Sequence, residues 1–194
     1  GAPSQEPAEP NNRSPWAWCR ILGQAGVYVV LETEDGIVLM DPQAAHERVL
    51  YEAYIRDAMD GVPQQQGLLT PETVELLPAD AEALRKNLSE LESLGFGVSD
   101  FGQDTFIVDA LPVHLQQGSP ASVVGEIASA LSKGGAVLNA KREVLRETVA
   151  QAACRAAVRA GDGLTVNELE SLVDDLAKTD MPYTSPYGRP TLIF

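Results

Sequence analysis

The feature that most constrains the fold is a short apolar run that stops at an Asp–Pro pair and continues as an amphipathic stretch. Residues 37–40 are all apolar, which predicts a buried strand. Asp41 is a favoured helix N-cap, and Pro42 suits the first helical position because an N–H there would have no intrahelical partner. Residues four apart share a helix face, so Gln43 and Glu47 are expected side by side. Two carboxylates at such a junction are a common way to place oxygen ligands around a divalent cation.

The flanking sequence predicts a β–β–α unit around this junction. Residues 25–32 and 37–41 have the apolar character of strands, and residues 34–36 between them (Glu-Asp-Gly) predict a tight hairpin turn. The helix is expected from Pro42 to about Met59. Its core-facing stripe repeats at helical spacing and comprises Ala45, Val49, Leu50, Ala53 and Tyr54.

Periodicity in the remaining sequence predicts further helices and strands, and hence an α+β fold. A Gly-Val-Pro break at 61–63 suggests the crossing into an inserted segment. The expected elements are a helix over 78–94, a turn and strand within 101–112, a short helix over 119–132 closed by a glycine pair at 134–135, a long helix from 140 to about 160, a helix over 166–177, and a Pro-framed loop followed by a strand over 181–194.

Composition restricts the partners and the compartment. The chain of 194 residues is 44% apolar with a mean hydropathy of -0.09, and it lacks a run of eighteen apolar residues or a signal-peptide pattern, so we expect a cytoplasmic protein without a membrane partner. Its two cysteines, Cys19 and Cys154, fit a reducing compartment, and Cys154 is expected to be a buried core thiol. The net charge of -14 predicts weak binding to DNA.

Three sequence blocks, in the family's order, resemble the C-terminal domain of MutL-type mismatch-repair proteins. Residues 41–52 resemble the family signature Asp-Gln-His-Ala-x-x-Glu-x-x-x-x-Glu. Asp41, Ala44, Glu47 and Glu52 match it, whereas Pro42 replaces Gln and the next residue replaces the His that belongs to the metal site.

The other two blocks lie in the second half of the chain. Residues 153–159, which include Cys154, resemble the Ala-Cys-Lys/Arg segment of the family. Residues 185–190 resemble its Cys-Pro-His-Gly-Arg-Pro segment, with Ser185 for Cys and Tyr187 for His, while Arg189 is kept. We expect Arg189 to pair with a carboxylate of the first block rather than with DNA.

The resemblance implies an organisation and a set of partners. It implies a disordered linker tail over 1–14, which in the family leads to an N-terminal ATPase, a discontinuous dimerisation subdomain over 15–64 and 151–194, and an inserted regulatory subdomain over 65–150. The implied partners are a second copy of the chain, the replication sliding clamp and other mismatch-repair proteins, with association with the nucleoid during repair. An apolar strand at 27–30 is compatible with dimerisation.

The family's nicking site holds Zn²⁺ or Mn²⁺ with carboxylate, imidazole and thiolate groups, and this chain departs from that set. An amide, a hydroxyl and a phenol are poor ligands for these metals, so we expect no cofactor and a degenerate, inactive site. The residues of this vestigial site are Asp41, Gln43, Glu47, Glu52, Cys154, Ser185, Tyr187 and Arg189.

Two other interpretations remain open for this site. One is a divergent metal-dependent nickase, whose candidate ligands are Asp41, Glu47, Cys154 and His46. His46 lies three positions beyond Gln43, about 300° around the helix, so it reaches the same site only with a shifted backbone. The other is pairing with a different MutL-like subunit that supplies an intact site.

A second short motif predicts the clamp contact. Residues 66–71 match Gln-x-x-Leu-x-Pro, which resembles the motif by which MutL proteins dock on the sliding clamp, and Gln66, Leu69 and Pro71 occupy its fixed positions. The alternative is an ordinary strand in which Leu68 and Leu69 are core residues.

Overall fold

The structure of the chain, a computed structural model, describes residues 19–61, 63–140, 142–158 and 164–194. These ranges contain both helices and strands, which confirms the α+β class. The predicted linker tail lies outside the described residues. In chain order the elements are β1 Cys19–Ala25, β2 Tyr28–Thr33, β3 Gly36–Met40, α1 Pro42–Asp60, β4 Gln65–Glu75, α2 Pro78–Lys86, α3 Leu88–Ser93, β5 Gly97–Gly102, β6 Thr105–Pro112, a 3-10 turn Val113–Leu115, α4 Pro120–Ala140, α5 Arg142–Ala157, α6 Val166–Ala177 and β7 Leu192–Ile193.

The first sheet has four antiparallel strands in the order β1-β2-β3-β7. The hairpin between β2 and β3 and the helix that follows confirm the predicted β–β–α unit. The sequence pattern does not predict β1 as a strand. Its register shifts between Ile21 and Gly23, and this bulge breaks the two-residue alternation by which a strand is recognised.

One face of the first sheet is covered by the first turns of α1 and by α6. Thr165 begins α6 with a capping box, in which its hydroxyl accepts from the Glu168 N–H and the Glu168 carboxylate accepts from the Thr165 N–H. The buried residues of this core are Val29, Leu31, Val38, Met40, Ala45, Leu169, Leu172, Val173, Leu176 and Leu192. The predicted helix over 166–177 and its buried leucines are therefore confirmed.

The second sheet, ordered β4-β6-β5, packs with α2, α3, α4, α5 and the later turns of α1 into a larger core. Tyr54 of α1 is fully buried in it and donates its hydroxyl to the Leu94 carbonyl oxygen at 2.8 Å. Helix α1 thus contributes to both cores, with Ala45 in the first and Leu50 in the second. Within the described residues, no helix has the length and apolar character needed to cross a bilayer.

The predicted helix over 78–94 is wrong in one respect, since the chain forms two helices that meet at Asn87. The Asn87 side chain donates to the Ala83 carbonyl oxygen at 2.8 Å, and its backbone leaves the helical region with φ -116° and ψ 12°. Asparagine competes in this way with the backbone hydrogen bonds of a helix. The apolar spacing survives the break, because Leu84 and Leu91 are both buried.

The glycine pair at 134–135 does not end a helix as predicted. Helix α4 continues through it to Ala140, and the long helix that carries Cys154 begins at Arg142. A glycine inside a helix costs only about 1 kcal/mol relative to alanine, so packing of α4 along α5 and α2 overrides the local preference.

Candidate functional site

Asp41 joins the first sheet, α1 and the C-terminal loop at one point. Its Oδ1 accepts from the Ala44 N–H at 3.0 Å, which is the predicted N-cap contact. Its own N–H donates to the Thr191 carbonyl oxygen at 2.9 Å. The second carboxylate oxygen lies 3.8 Å from Nη2 of Arg189. The loop that ends the chain therefore lies directly against the carboxyl end of β3.

Glu47, one turn into α1, is a buried carboxylate with incomplete compensation. It is 2% exposed, and its Oε1 accepts from Nε2 of Gln43 at 3.3 Å, as expected for residues on one helix face. Its Oε2 lies 3.6 Å from Nη2 of Arg189 and has no hydrogen-bond partner among the described residues. Burial raises the pKa of Glu47, against the lowering effect of the Arg189 charge. Arg189 thus contacts both carboxylates, as predicted.

Ser185, which the resemblance aligns with a Cys, is buried and accepts hydrogen bonds from the loop around it. Its hydroxyl accepts from the backbone N–H groups of Tyr187 at 3.2 Å and Arg189 at 3.3 Å. Its own N–H donates to the Arg189 carbonyl oxygen at 2.8 Å. The Ser185 oxygen is therefore already used as an acceptor of two intraloop hydrogen bonds.

Tyr187, which the resemblance aligns with a His, connects the same loop to α5. Its hydroxyl donates to the Gln151 carbonyl oxygen, and the Arg155 guanidinium lies 3.9 Å from the centre of its ring. A phenol is uncharged at neutral pH at its ordinary pKa of 10, and burial raises the pKa of Tyr187 further. The hydroxyl is thus a neutral group engaged within the chain.

Cys154 is fully buried on α5, as predicted. Burial raises its pKa, and the nearby Glu47 carboxylate raises it further, so the side chain is a thiol rather than the thiolate that binds metal. Its neighbours Ala153 and Ala157 belong to the same apolar core. The expectation of a core thiol is therefore met.

His46 and Glu52 have surroundings different from those of Glu47. His46 lines a cleft of about 720 Å³ together with Asp41 and Arg189, and burial lowers the pKa of its imidazole. The carboxylate of Glu52, further along α1, accepts from the backbone N–H groups of Asp180 and Met181. The structure therefore brings Asp41, Glu47 and Arg189 together, whereas Glu52 binds the backbone amides of residues 180 and 181.

Most polar groups of this region are already engaged in contacts within the chain. Zn²⁺ and Mn²⁺ sites use several imidazole, thiolate or carboxylate ligands around one position. Here one carboxylate caps a helix and both carboxylates contact a guanidinium, while Gln43, Ser185 and Tyr187 are held by intrachain hydrogen bonds. The described ranges contain no group of three or more His, Cys, Asp or Glu side chains placed to hold a metal ion.

Sequence patterns did not identify several residues that build the site. Arg48 is buried and donates from Nε to the Thr184 carbonyl oxygen at 2.7 Å. Because arginine side chains are mostly exposed, its residue type predicts the opposite. Gln151 and Thr191 contribute backbone carbonyl oxygens, and contacts of this kind cannot be predicted from the type of side chain. Arg155 stacks on the ring of Tyr187, in a loop that is distant in sequence. In the sequence, only the position of Arg155 within residues 153–159 associates it with the site.

The predicted clamp motif lies on β4, at an edge of the second sheet. Gln66 pairs with Leu111 of β6, but the register jumps between Gly67 and Glu72, so the residues between them bulge from the ladder. Leu69 is fully exposed, which makes the alternative of a core side chain wrong for it. Leu68 is partly buried and packs against the second core.

The first sheet also presents an apolar outer face. Strand alternation places Val30, Leu39 and Ile193 in one row across β2, β3 and β7, with Ile37 beside them. Ile37 is 63% exposed and Ile193 is 42% exposed. The helices of the first core, α1 and α6, pack on the opposite face.

Comparison with known proteins gives consistent matches. The family model described as "MutL C terminal dimerisation domain" matches residues 22–164. The chain is similar to proteins named "DNA mismatch repair protein MutL" from Halothermothrix orenii (34% identity, 90% of this chain, 27% of that protein), Syntrophobacter fumaroxidans (38%, 88% and 25%) and Phenylobacterium zucineum (39%, 86% and 26%).

The chain thus spans about a quarter of the length of these curated relatives. The family match covers most of the chain and includes the Asp41 block and the Cys154 block. The protein therefore belongs to the family of MutL C-terminal dimerisation domains.

Proposed function

We propose that this domain pairs with a second copy of itself in DNA mismatch repair, through the outer face of the first sheet. The observation that carries the proposal is the apolar row of Val30, Leu39 and Ile193, flanked by Ile37 and left uncovered by α1 and α6. A contiguous apolar face of this kind is typical of a self-complementary contact between two copies. The Arg20–Glu32 ion pair, 2.7 Å across the neighbouring row, supplies a polar rim.

The test compares arginine substitutions at two similarly exposed apolar residues. Ile37→Arg places a charge in the proposed contact, which costs about 3 kcal/mol or more and weakens the dimer more than about a hundredfold. Leu77→Arg is the control, since Leu77 is 72% exposed but lies beside the second sheet. Sedimentation equilibrium is expected to detect a monomer for Ile37→Arg and a dimer for Leu77→Arg. Dimers of equal strength in both variants would rule out this face.

We also propose that the β4 bulge docks on the replication sliding clamp. The support is an exposed Leu69 on a segment that leaves the ladder and keeps Gln66 and Pro71 at the motif spacing. Such a segment offers an apolar side chain to a groove without disturbing the core.

Binding to immobilised clamp tests this second proposal. Truncating an anchoring leucine forfeits about 1.5–3 kcal/mol, so Leu69→Ala is expected to weaken binding at least about tenfold. Leu77→Ala is the matched control for removal of an exposed leucine. Unchanged clamp binding by Leu69→Ala would exclude the bulge as the docking segment.

For the Asp41–Glu47 region we propose a degenerate endonuclease site that needs no metal, with strand cutting done by another protein. The support is that Gln43, Ser185 and Tyr187 are neutral groups held in intrachain hydrogen bonds. Titration calorimetry with Zn²⁺ and Mn²⁺ is expected to give no heat of specific binding. Binding that Glu47→Ala abolishes would contradict this.

One observation favours the alternative of a divergent nickase. The buried Oε2 of Glu47 has no hydrogen-bond partner in the described part of the chain, and such an atom is a potential ligand for a cation. Asp41, His46 and Cys154 are the other candidate ligands. A mixed dimer with a MutL-like subunit that has an intact site is a third possibility, and mass spectrometry of the complex isolated with other mismatch-repair proteins distinguishes it.

A further inference from the structure

We propose that Arg48 and Glu52 form a clasp that positions the C-terminal segment, residues 180–194, on α1 and thereby sets the strength of the dimer. The clasp itself is formed by contacts within one chain. Its effect on the dimer rests on the proposed function, since it requires pairing through the first sheet. Glu52 belongs to the sequence block that resembles a metal-site signature, and the structure assigns it this different, positioning role.

The clasp is an almost buried ion pair with two backbone targets. Arg48 Nη1 lies 3.5 Å from Glu52 Oε1, and the two side chains are only 8% and 12% exposed. Glu52 accepts from the Asp180 N–H at 2.7 Å and the Met181 N–H at 3.1 Å, one on each oxygen. Arg48 donates Nε to the Thr184 carbonyl oxygen at 2.7 Å. Charged groups make hydrogen bonds about twice as strong as neutral ones.

The C-terminal segment contributes only a short strand of its own to the first sheet. Strand β7 has two residues, Leu192 and Ile193, and pairs with β3 at two positions. Before it, the chain turns back on itself through a single bridge between Thr184 and Pro190. Two pairs of strand residues provide little cooperative stability, since a two-stranded contact is marginal even at greater length. The clasp holds the other end of this segment.

The position of the segment is passed directly to the proposed dimer face. Thr191 is fully buried, donates its hydroxyl to the Pro182 carbonyl oxygen and accepts at its own carbonyl from the Asp41 N–H at 2.9 Å. Two residues later, Ile193 lies beside Leu39 in the apolar outer row. Through this path, loss of the clasp is expected to loosen Ile193, a side chain of the dimer face.

Hydrogen exchange in the whole chain tests the clasp itself. Glu52→Gln keeps one acceptor oxygen and the side-chain volume but removes the charge, and Glu52→Ala removes both. The expected result is at least a tenfold faster exchange of the Asp180 and Met181 amides in Glu52→Ala, a smaller increase in Glu52→Gln, and unchanged amides in α2–α4. Glu82→Ala is the control, because its exposed pair with Lys86 lies within α2.

A general loss of stability would instead accelerate exchange throughout the second core. That pattern in Glu52→Gln, or unchanged exchange over 180–193 in both Glu52 variants, would overturn the clasp. The experiment is repeated in the Ile37→Arg background, where dimerisation is blocked. Local acceleration there supports the clasp whether or not the proposed dimer is correct.

The effect on the dimer is measured separately by sedimentation equilibrium. If the first-sheet dimer exists, Glu52→Gln is expected to raise its dissociation constant at least tenfold, and Glu82→Gln to leave it unchanged. Local acceleration of exchange without a change in the dissociation constant would overturn the link between clasp and dimer. If the unsubstituted chain were monomeric, the proposed function itself would be contradicted.

Discussion

At the scale of single residues, three neutral polar side chains of the candidate site each have a hydrogen-bond partner within the chain. Gln43 donates to Glu47, Ser185 accepts from two loop amides, and the Tyr187 hydroxyl donates to the Gln151 carbonyl oxygen. Burying a polar group is costly unless it is hydrogen-bonded, so these contacts offset the cost of burying the three side chains. Arg189 supplies the positive charge that the two neighbouring carboxylates require.

The buried Glu47 predicts a distinctive dependence of stability on pH. Its pKa is raised by burial above the ordinary value of 4.5, so the folded state binds the proton more tightly than the unfolded state does. The contribution of Glu47 to the free energy of unfolding therefore falls as pH rises from about 4.5 through the folded pKa, and the cost of the buried charge is complete above it. Glu47→Gln is expected to remove this cost and to be more stabilising, relative to the unsubstituted chain, at pH 7 than at pH 4.

Urea unfolding at both pH values and at one protein concentration checks this difference. The subtraction of the unsubstituted chain removes the titration of all other groups. Glu82→Gln is the control for an exposed carboxylate, and it is not expected to show the same trend. A Glu47→Gln difference that grows toward acid pH would mean that Arg189 dominates over burial.

Restoration of the replaced ligands is a second prediction at this scale. The triple variant Gln43→His, Ser185→Cys and Tyr187→His places imidazole and thiol groups beside Asp41 and Glu47, on a backbone that is already held by the N-cap and the loop bridge. It is expected to bind Zn²⁺ at least about tenfold more tightly than the unsubstituted chain, as measured by calorimetry. A folded triple variant with no gain in Zn²⁺ affinity would show that the backbone does not retain the site geometry.

At the scale of elements, the turn that leads into α4 lies so close to the end of α5 that it requires a glycine at position 118. A Cβ at Gly118, just before α4, would lie 2.9 Å from both the Ala156 carbonyl oxygen and the Ala157 Cα. These are backbone atoms of α5 and cannot turn aside. A Cβ at Gly125, inside α4, would have no such neighbour within 4 Å.

The two glycines therefore predict opposite effects of substitution by alanine. Gly118→Ala is expected to destabilise the fold by about 1–3 kcal/mol through overpacking. Gly125→Ala is expected to stabilise it by about 0.5–1 kcal/mol, because alanine has less conformational freedom to lose in a helix. Urea denaturation measures both values, and equal signs would contradict the close approach of Gly118 to α5.

The same scale shows what sequence patterns predict. Elements with a strong period and a clear cap, such as α1 after Asp41 and α6 after Thr165, follow from the sequence because local physics and packing agree. Strand β1 and the break at Asn87 do not, since a bulge and one side-chain hydrogen bond leave the apolar pattern ambiguous. The continuation of α4 through a glycine pair depends on neighbouring helices, so the local sequence does not predict it either.

At the scale of the whole molecule, α1 is the element that both cores share and on which the C-terminal segment folds back. The Asp41–Thr191 and Arg48–Thr184 contacts join residues that are far apart in the sequence. Residue types in the three sequence blocks predicted that Asp41, Glu47 and Arg189 belong together. They did not predict the separate position of Glu52, because its partners are backbone amides of an irregular turn.

The central claim is that this MutL-family domain pairs and docks without cutting DNA itself. The most direct test is nicking of supercoiled plasmid by the full-length protein that contains the domain, with Mn²⁺ and loaded sliding clamp, beside its Glu47→Ala variant. We predict that neither protein nicks the plasmid above the background of a reaction without protein. Clamp-stimulated nicking by the unsubstituted protein that Glu47→Ala abolishes would contradict the claim and would establish the site as an active metal-dependent nuclease.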